Sequence, residues 1–177
     1  MPGLEIHDKF FVPFIDAATI SKRVQALASK ISAEYAGKRP LLIGILNGSF
    51  VFAADLFRAL NIDAEISFIK LVSYKGTTST GNVITAIGME ENLHDRHVII
   101  VEDIIDTGKT LHAFLPEIYS RNPASVKIAT FLTKPSALKH DVKADYNAFE
   151  IEDKFVVGYG LDYDGLGRNL PELYILE

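Results

Sequence analysis

One segment restricts the fold of this chain more than any other. His97 to Val101 reads His-Val-Ile-Ile-Val and runs straight into Glu102 and Asp103, with Asp106-Thr107-Gly108-Lys109-Thr110-Leu111 close behind. A short, mostly apolar, β-branched run suits a strand buried on both faces, and such strands belong to parallel sheets covered by helices. The acids that follow cannot share that burial. They mark the strand's carboxyl end, where an open α/β sheet presents its ligand-binding loops.

The rest of the chain alternates in the same style. Residues 16–36 read as a helix: Asp16 is an N-cap residue, Ile20, Val24, Leu27, Ile31 and Tyr35 recur at three- and four-residue steps, and Gly37 stops the pattern. Leu41 to Leu46 is a second buried strand. Ser49 starts another helical pattern, with Val51, Leu56 and Leu60 on one face. Ala64 to Val72 reads as a strand, Ser73 to Asn82 as a polar, glycine-bearing loop, and Val83 to Ile87 as the strand that answers it. A helix from about Thr107 to Tyr119 follows the acidic segment, and Val126 to Leu132 and Phe155 to Gly160 read as further strands. Strands alternating with helices predict an α/β fold with a mainly parallel sheet. Chemistry is then expected in the loops after Leu46, Val101, Leu132 and Gly160.

Composition removes several function classes. The 177 residues are 48% hydrophobic and 23% charged, a globular balance that excludes disorder. A formal charge of −5 argues against sequence-independent nucleic-acid binding. The chain has no cysteine, hence no disulfide framework, zinc-thiolate site or cysteine nucleophile. No apolar run approaches the roughly 18 to 20 residues of a membrane span. The start, Met-Pro-Gly-Leu-Glu-Ile-His-Asp, lacks the basic and apolar regions of a signal peptide. The expectation is a soluble cytoplasmic protein.

The acidic segment carries the chemistry. Gly108-Lys109-Thr110 mimics the end of a phosphate-binding P-loop, but that motif needs a glycine five positions before Gly108, and Asp103 stands there. Asp-Thr-Gly by itself is a capped helix start. Glu102, Asp103 and Asp106 together repel one another unless hydroxyls or a hard cation such as magnesium take them up. The Thr107–Thr110 turn offers free N–H groups and a positive helix end, which suit a phosphate. Hydroxyls on the carboxylates and a phosphate on the turn describe a ribose 5-phosphate.

This segment resembles the phosphoribosyl-pyrophosphate signature of type I phosphoribosyltransferases. Leu46-Asn47-Gly48-Ser49-Phe50, Ala53-Ala54-Asp55-Leu56, Ser73-Tyr74, Lys134, Asp153-Lys154-Phe155-Val156-Val157-Gly158-Tyr159, Leu161-Asp162-Tyr163 and Arg168 are similar in order and spacing to the hypoxanthine-guanine branch. The resemblance covers roughly residues 41–168. It implies one domain over residues 1–177: a type I phosphoribosyltransferase fold, with a small hood from the N- and C-terminal segments and a flexible active-site loop. It implies transfer of the 5-phosphoribosyl group to hypoxanthine or guanine, with Mg2+ as cofactor and a homodimer or homotetramer as the assembly. Two alternatives stand beside it: a phosphoribosyl-pyrophosphate-sensing regulator on the same fold, and a transferase for another base such as xanthine.

The resemblance also implies roles. Glu102 and Asp103 would bind the ribose hydroxyls and, with Asp162, the metal. Asp106 would take or share the proton at purine N7, and Thr107, Gly108, Lys109 and Thr110 would hold the 5-phosphate. Asn47, Gly48, Ser73, Tyr74 and Arg168 would meet pyrophosphate. Lys134, Lys154, Phe155, Val156 and Asp162 would meet the base, with Lys134 donating to its 6-oxo group and Phe155 stacking on it. By pattern alone, Lys134 is a solvated lysine, Phe155 a core residue, Asp162 a turn residue, and His94 and His97 surface residues without metal-ligand spacing. Asn47-Gly48 replaces the Lys-Gly common in the family. That peptide can be cis there, and the pyrophosphate contact is expected from the N–H groups of Gly48 and Ser49, leaving the Asn47 side chain secondary.

Overall fold

The computed structural model describes residues 2–74 and 83–177. The chain opens with β1 (Leu4–Ile6) and β2 (Lys9–Ile15), then α1 (Ala17–Glu34). The Asp16 carboxylate accepts the Thr19 N–H at 2.7 Å, satisfying one of the first-turn donors that a helix leaves unpaired. All five residues of the expected stripe are buried. Next come β3 (Leu41–Leu46), α2 (Phe50–Ala59), β4 (Glu65–Tyr74), β5 (Val83–Ile87), β6 (His97–Ile105) and α3 (Lys109–Ser120). The chain closes with β7 (Ser125–Thr133), β8 (Tyr146–Glu150), β9 (Val156–Val157) and β10 (Leu173–Leu176).

The larger sheet has the order β5-β4-β3-β6-β7-β8, with every neighbouring pair parallel except β4 and β5. Its apolar strands need cover on both sides, and they have it. Leu42, Ile99 and Val101 pack with α1 and α2, whereas Leu41, Ile43, Val98 and Ile100 pack with α3. Successive residues of β3 and β6 thus feed opposite layers, as the two-residue period of a strand requires. From β3 the chain builds outward through β4, and from β6 it builds the other way. The order therefore reverses between β3 and β6, and their adjacent carboxyl ends open a crevice. No helix among the described residues is long and apolar enough to cross a membrane.

Three expectations need correction. Phe155 to Gly160 is not a strand of the parallel sheet. Only Val156–Val157 is extended, paired antiparallel with β10 in a second sheet of order β1-β2-β10-β9. Positive φ at Gly158, Tyr159 and Gly160 ends it there. On α2 the buried face is Phe52, Ala53 and Leu56, while Val51 and Leu60 are only partly buried. Of the expected loop at residues 73–82, Ser73 and Tyr74 are the last residues of β4, and 75–82 lie outside the described residues.

Candidate active site

The crevice is walled on one side by the turn after β3. Asn47 is exposed, whereas Gly48 and Ser49 are buried. Ser49 Oγ donates to the Ile45 carbonyl at 2.6 Å, and the Phe50 N–H donates to the Asn47 carbonyl at 3.3 Å. A cis peptide lies at Leu46–Asn47, one bond before the Asn47–Gly48 peptide at which the resemblance allows one. Gly48 is glycine for a reason the sequence did not disclose: a Cβ there would overlap the Asp103 carboxylate. The β3 turn and the β6 acids are therefore in direct contact.

The other wall is the end of β6. Glu102 and Asp103 lie within the strand, which runs on to Ile105, so the acids interrupt a strand that the apolar pattern ends at Val101. Glu102 is buried and its Oε2 has no hydrogen-bond partner. Burial, followed by the neighbouring Asp103 charge, pushes the Glu102 carboxyl well above the usual carboxylate range. Asp103 is half-buried and its Oδ1 accepts the Ile104 N–H at 2.9 Å.

Gly108 takes φ +76° and caps α3, a left-handed conformation that glycine adopts without strain. The Lys139 and His140 N–H groups both donate to the Thr107 carbonyl, at 3.0 and 3.2 Å, which clamps the turn to the segment after β7. The His140 and His112 rings stack beside it at 4.9 Å. Residues 102–111 line a cavity of about 270 Å³, which joins both acids, Asp106 and the α3 turn.

Lys134 follows β7. It is buried, not solvated, with its Nζ 3.5 Å from Asp106 Oδ2 and 3.3 Å from Asp153 Oδ1. Phe155 is also unlike its pattern reading: 44% of it is exposed, with its ring centre 6.2 Å from that of Phe11 and 5.6 Å from that of Tyr163. A half-exposed aromatic ring supported by two others can stack on something planar. Val156 is buried in β9, and Lys154 is exposed.

Asp162 and Arg168 form a unit of their own. Arg168 donates to Asp162 Oδ1 at 2.6 Å and to the Gly160 carbonyl at 2.7 Å, and the Gly165 N–H donates to Asp162 Oδ2. Arg168 also lines a larger cavity, about 960 Å³, between α1 and α2. Size and chemistry disagree here. The smaller cavity holds the convergent carboxylates and the helix start, and the chemistry decides for it. Gly160 packs against the Gly48 carbonyl, so the Asp162 hairpin abuts the β3 turn. His94 is exposed, but His97 is half-buried, with Nδ1 2.7 Å from Ser125 Oγ and Tyr35 edge-on to its ring. Among the described residues, no three His, Asp or Glu side chains converge as a preformed cation site.

Pattern and spacing single out neither Asp153 as a partner of Lys134 nor the Gly48–Asp103 contact. The place of Asp153 at the head of the motif at residues 153–159 was the only available signal for the first.

Residues 15–164 match the family described as the phosphoribosyl transferase domain. A hypoxanthine-guanine phosphoribosyltransferase of Streptococcus pneumoniae is 42% identical over 159 residues, 89% of this chain and 88% of that one. A hypoxanthine-guanine-xanthine phosphoribosyltransferase of Tritrichomonas foetus is 40% identical, covering 89% of this chain and 87% of that one. The crystal structure of a hypoxanthine-guanine phosphoribosyltransferase from Bacillus anthracis matches with a TM-score of 0.85 at 37% identity, covering 98% and 99% of the two chains.

Proposed function

We infer that this chain, which belongs to the phosphoribosyl transferase domain family, is an enzyme of purine salvage. It transfers the 5-phosphoribosyl group from phosphoribosyl pyrophosphate to hypoxanthine or guanine, giving the nucleoside monophosphate and pyrophosphate. The observation that carries this reading is one crevice in which paired acids and a helix start meet Asp106, itself paired with the buried Lys134.

The roles follow from the chemistry of each group. The N–H groups and hydroxyls of Thr107 to Thr110 hold the 5-phosphate at the positive end of α3. Glu102 and Asp103 hold the ribose hydroxyls. Lys134 donates to the 6-oxo group of the base, which places N7 beside Asp106, 3.5 Å from the lysine. The base's N9 forms the bond to C1′ as the bond from C1′ to pyrophosphate breaks, and Asp106 takes or shares the N7 proton. Phe155 stacks on the ring, with the Val156 backbone, Lys154 and Asp162 at its edges. The N–H groups of Gly48 and Ser49 hold pyrophosphate, assisted by Ser73, Tyr74 and Arg168.

Magnesium fits this donor set. A hard cation takes oxygen ligands, typically one or two carboxylates plus substrate phosphates, and Glu102 carries a buried oxygen without a partner. Glu102 and Asp103 would hold it together with substrate phosphates, and when bound it would neutralise the charge of pyrophosphate; Asp162, the third carboxylate the resemblance implies, is held by Arg168 and the Gly165 N–H and would join only through the bound substrate. We place the enzyme in the cytoplasm as a homodimer or homotetramer, with the β1-β2-β10-β9 sheet as the hood of a single domain.

Pyrophosphate release, measured with each base in turn, tests the reading. Turnover is expected with hypoxanthine or guanine. Xanthine belongs in the panel because the Tritrichomonas relative is named for it. Absence of base-dependent release, with tight binding of phosphoribosyl pyrophosphate retained, would favour the regulatory alternative.

A further inference from the structure

We propose that Asp153 is a positioning residue for the purine base, acting through Lys134; the proposal rests on the functional reading above. The lysine's backbone is fixed first. Its N–H donates to the Ile105 carbonyl at 3.0 Å, and its carbonyl accepts the Ala137 N–H at 3.0 Å. The side chain is 9% exposed, with the ammonium between Asp153 Oδ1 at 3.3 Å and Asp106 Oδ2 at 3.5 Å. Among the described residues, these two carboxylates are its only side-chain partners.

A buried ammonium without a counter-charge is strongly unfavourable. Asp106 supplies one only while it is ionised, and the transfer asks it to take up the N7 proton. Once it does, Asp153 is the carboxylate left to hold the lysine. Asp153 comes from a different segment. The Ile151 N–H donates to the Thr133 carbonyl at 2.9 Å, which lays the stretch after β8 alongside the end of β7. Two residues past Asp153 stands Phe155, then Val156. One short stretch thus carries the lysine's second anchor, the exposed ring and the backbone assigned to the base edge. The phosphate side stands on a separate element, the β6–α3 turn. An exposed acid facing an exposed lysine contributes little. Asp153 is itself 61% exposed, but it faces a lysine that is buried.

The experiment compares Asp153→Asn with wild type in the complete chain, after matching their thermal melting curves. The Michaelis constant for hypoxanthine is expected to rise about tenfold, the scale of one hydrogen bond to a charged group. That for phosphoribosyl pyrophosphate is expected to stay unchanged. The dissociation constant of inosine monophosphate, measurable without turnover, closes a double-mutant cycle. In a Lys134→Met background, Asp153→Asn is expected to add nothing. Equal rises in both Michaelis constants, no rise in either, or full additivity with Lys134→Met would overturn the proposal. Wild-type protein without base-dependent pyrophosphate release would overturn the functional reading and this proposal together, so the wild-type assay tells the two failures apart.

Discussion

Gly48→Val should be among the most damaging single changes to phosphoribosyl-pyrophosphate use in this chain, and the structure sets its scale. A Cβ at position 48 falls inside the envelope of the Asp103 side chain, against its Oδ2 and Cγ and 3.2 Å from its Cβ. The turn has little room to retreat. Gly160 packs on the Gly48 carbonyl, and the Ser49 hydroxyl holds the Ile45 carbonyl at 2.6 Å. Asp103 must therefore rotate and give up the hydrogen bond it accepts from Ile104 at 2.9 Å. A charge-assisted bond of this kind is worth about 1.5 kcal/mol at the low end, which suits a half-buried group. Moving a carboxylate assigned to the ribose hydroxyls by an ångström adds a loss on the order of 10²-fold. Together they predict a fall in kcat/KM for phosphoribosyl pyrophosphate of about 10²- to 10³-fold, with crowding of the pyrophosphate by the valine in the same direction. Asn47→Ala is the matched control. Its side chain is exposed, so the expected change is within about threefold, the scale of an ordinary surface substitution. Initial rates at saturating hypoxanthine over a range of phosphoribosyl pyrophosphate give both values. Near-wild-type kcat/KM for Gly48→Val together with abolished activity for Asn47→Ala would refute the backbone account and make the side chain at 47 the ligand.

Asp106→Asn is expected to lower kcat by about 10²- to 10⁴-fold with little change in phosphoribosyl-pyrophosphate binding; rates within a factor of a few of wild type would remove it from proton transfer. Glu102→Gln combined with Asp103→Asn should weaken magnesium-dependent substrate binding while the melting curve holds, since both acids line the cavity at the β6–α3 turn; unchanged affinity at limiting magnesium would contradict the assignment. Glu34 is held below the usual carboxylate range by hydrogen bonds from Lys127 and Tyr146. Its stabilisation is therefore present above the ordinary glutamate pKa and lost as pH falls through the lowered one. Glu34→Gln should cost about 0.5 to 1 kcal/mol at neutral pH, given the exposure of the pair, and almost nothing in acid below that range. Denaturant unfolding at the two pH values checks the difference, and an equal cost at both would count against it.

Periodicity exposed what is local. The stripe of α1, its Asp16 cap and the buried runs of β3 and β6 were all legible because each is set by neighbours a few residues away. The second sheet was not. β2 carries Pro13 and loses strict alternation, and its partner β10 comes from the far end of the chain, so no window contains both. Phe155 and Lys134 were misjudged by pattern for one reason. An aromatic residue before a valine pair suggests core, and a lysine before proline suggests surface. Burial of either depends on what folds over it, and that cover comes from residues 11 and 163 for Phe155 and from 106 and 153 for Lys134. Family resemblance supplied what local chemistry could not, by fixing spacing over roughly residues 41–168. It included Asp153 in the motif at residues 153–159 without giving it a role, and it did not reach the packing of Gly48 on Asp103.

The pairing of β2 with β10 also has a kinetic consequence. Ile15 lies opposite Leu173, and β9 is held in turn by β10. The acids of β6 and the start of α3 are separated by a handful of residues, and their contacts form at small loop-closure cost. Val156 reaches its final setting only after the two ends of the chain have found each other, which is the most expensive closure in the molecule. During refolding, affinity for a phosphorylated sugar should therefore return before affinity for a base. In partial denaturation the order should reverse, with the half of the cleft assigned to the base the first to be lost.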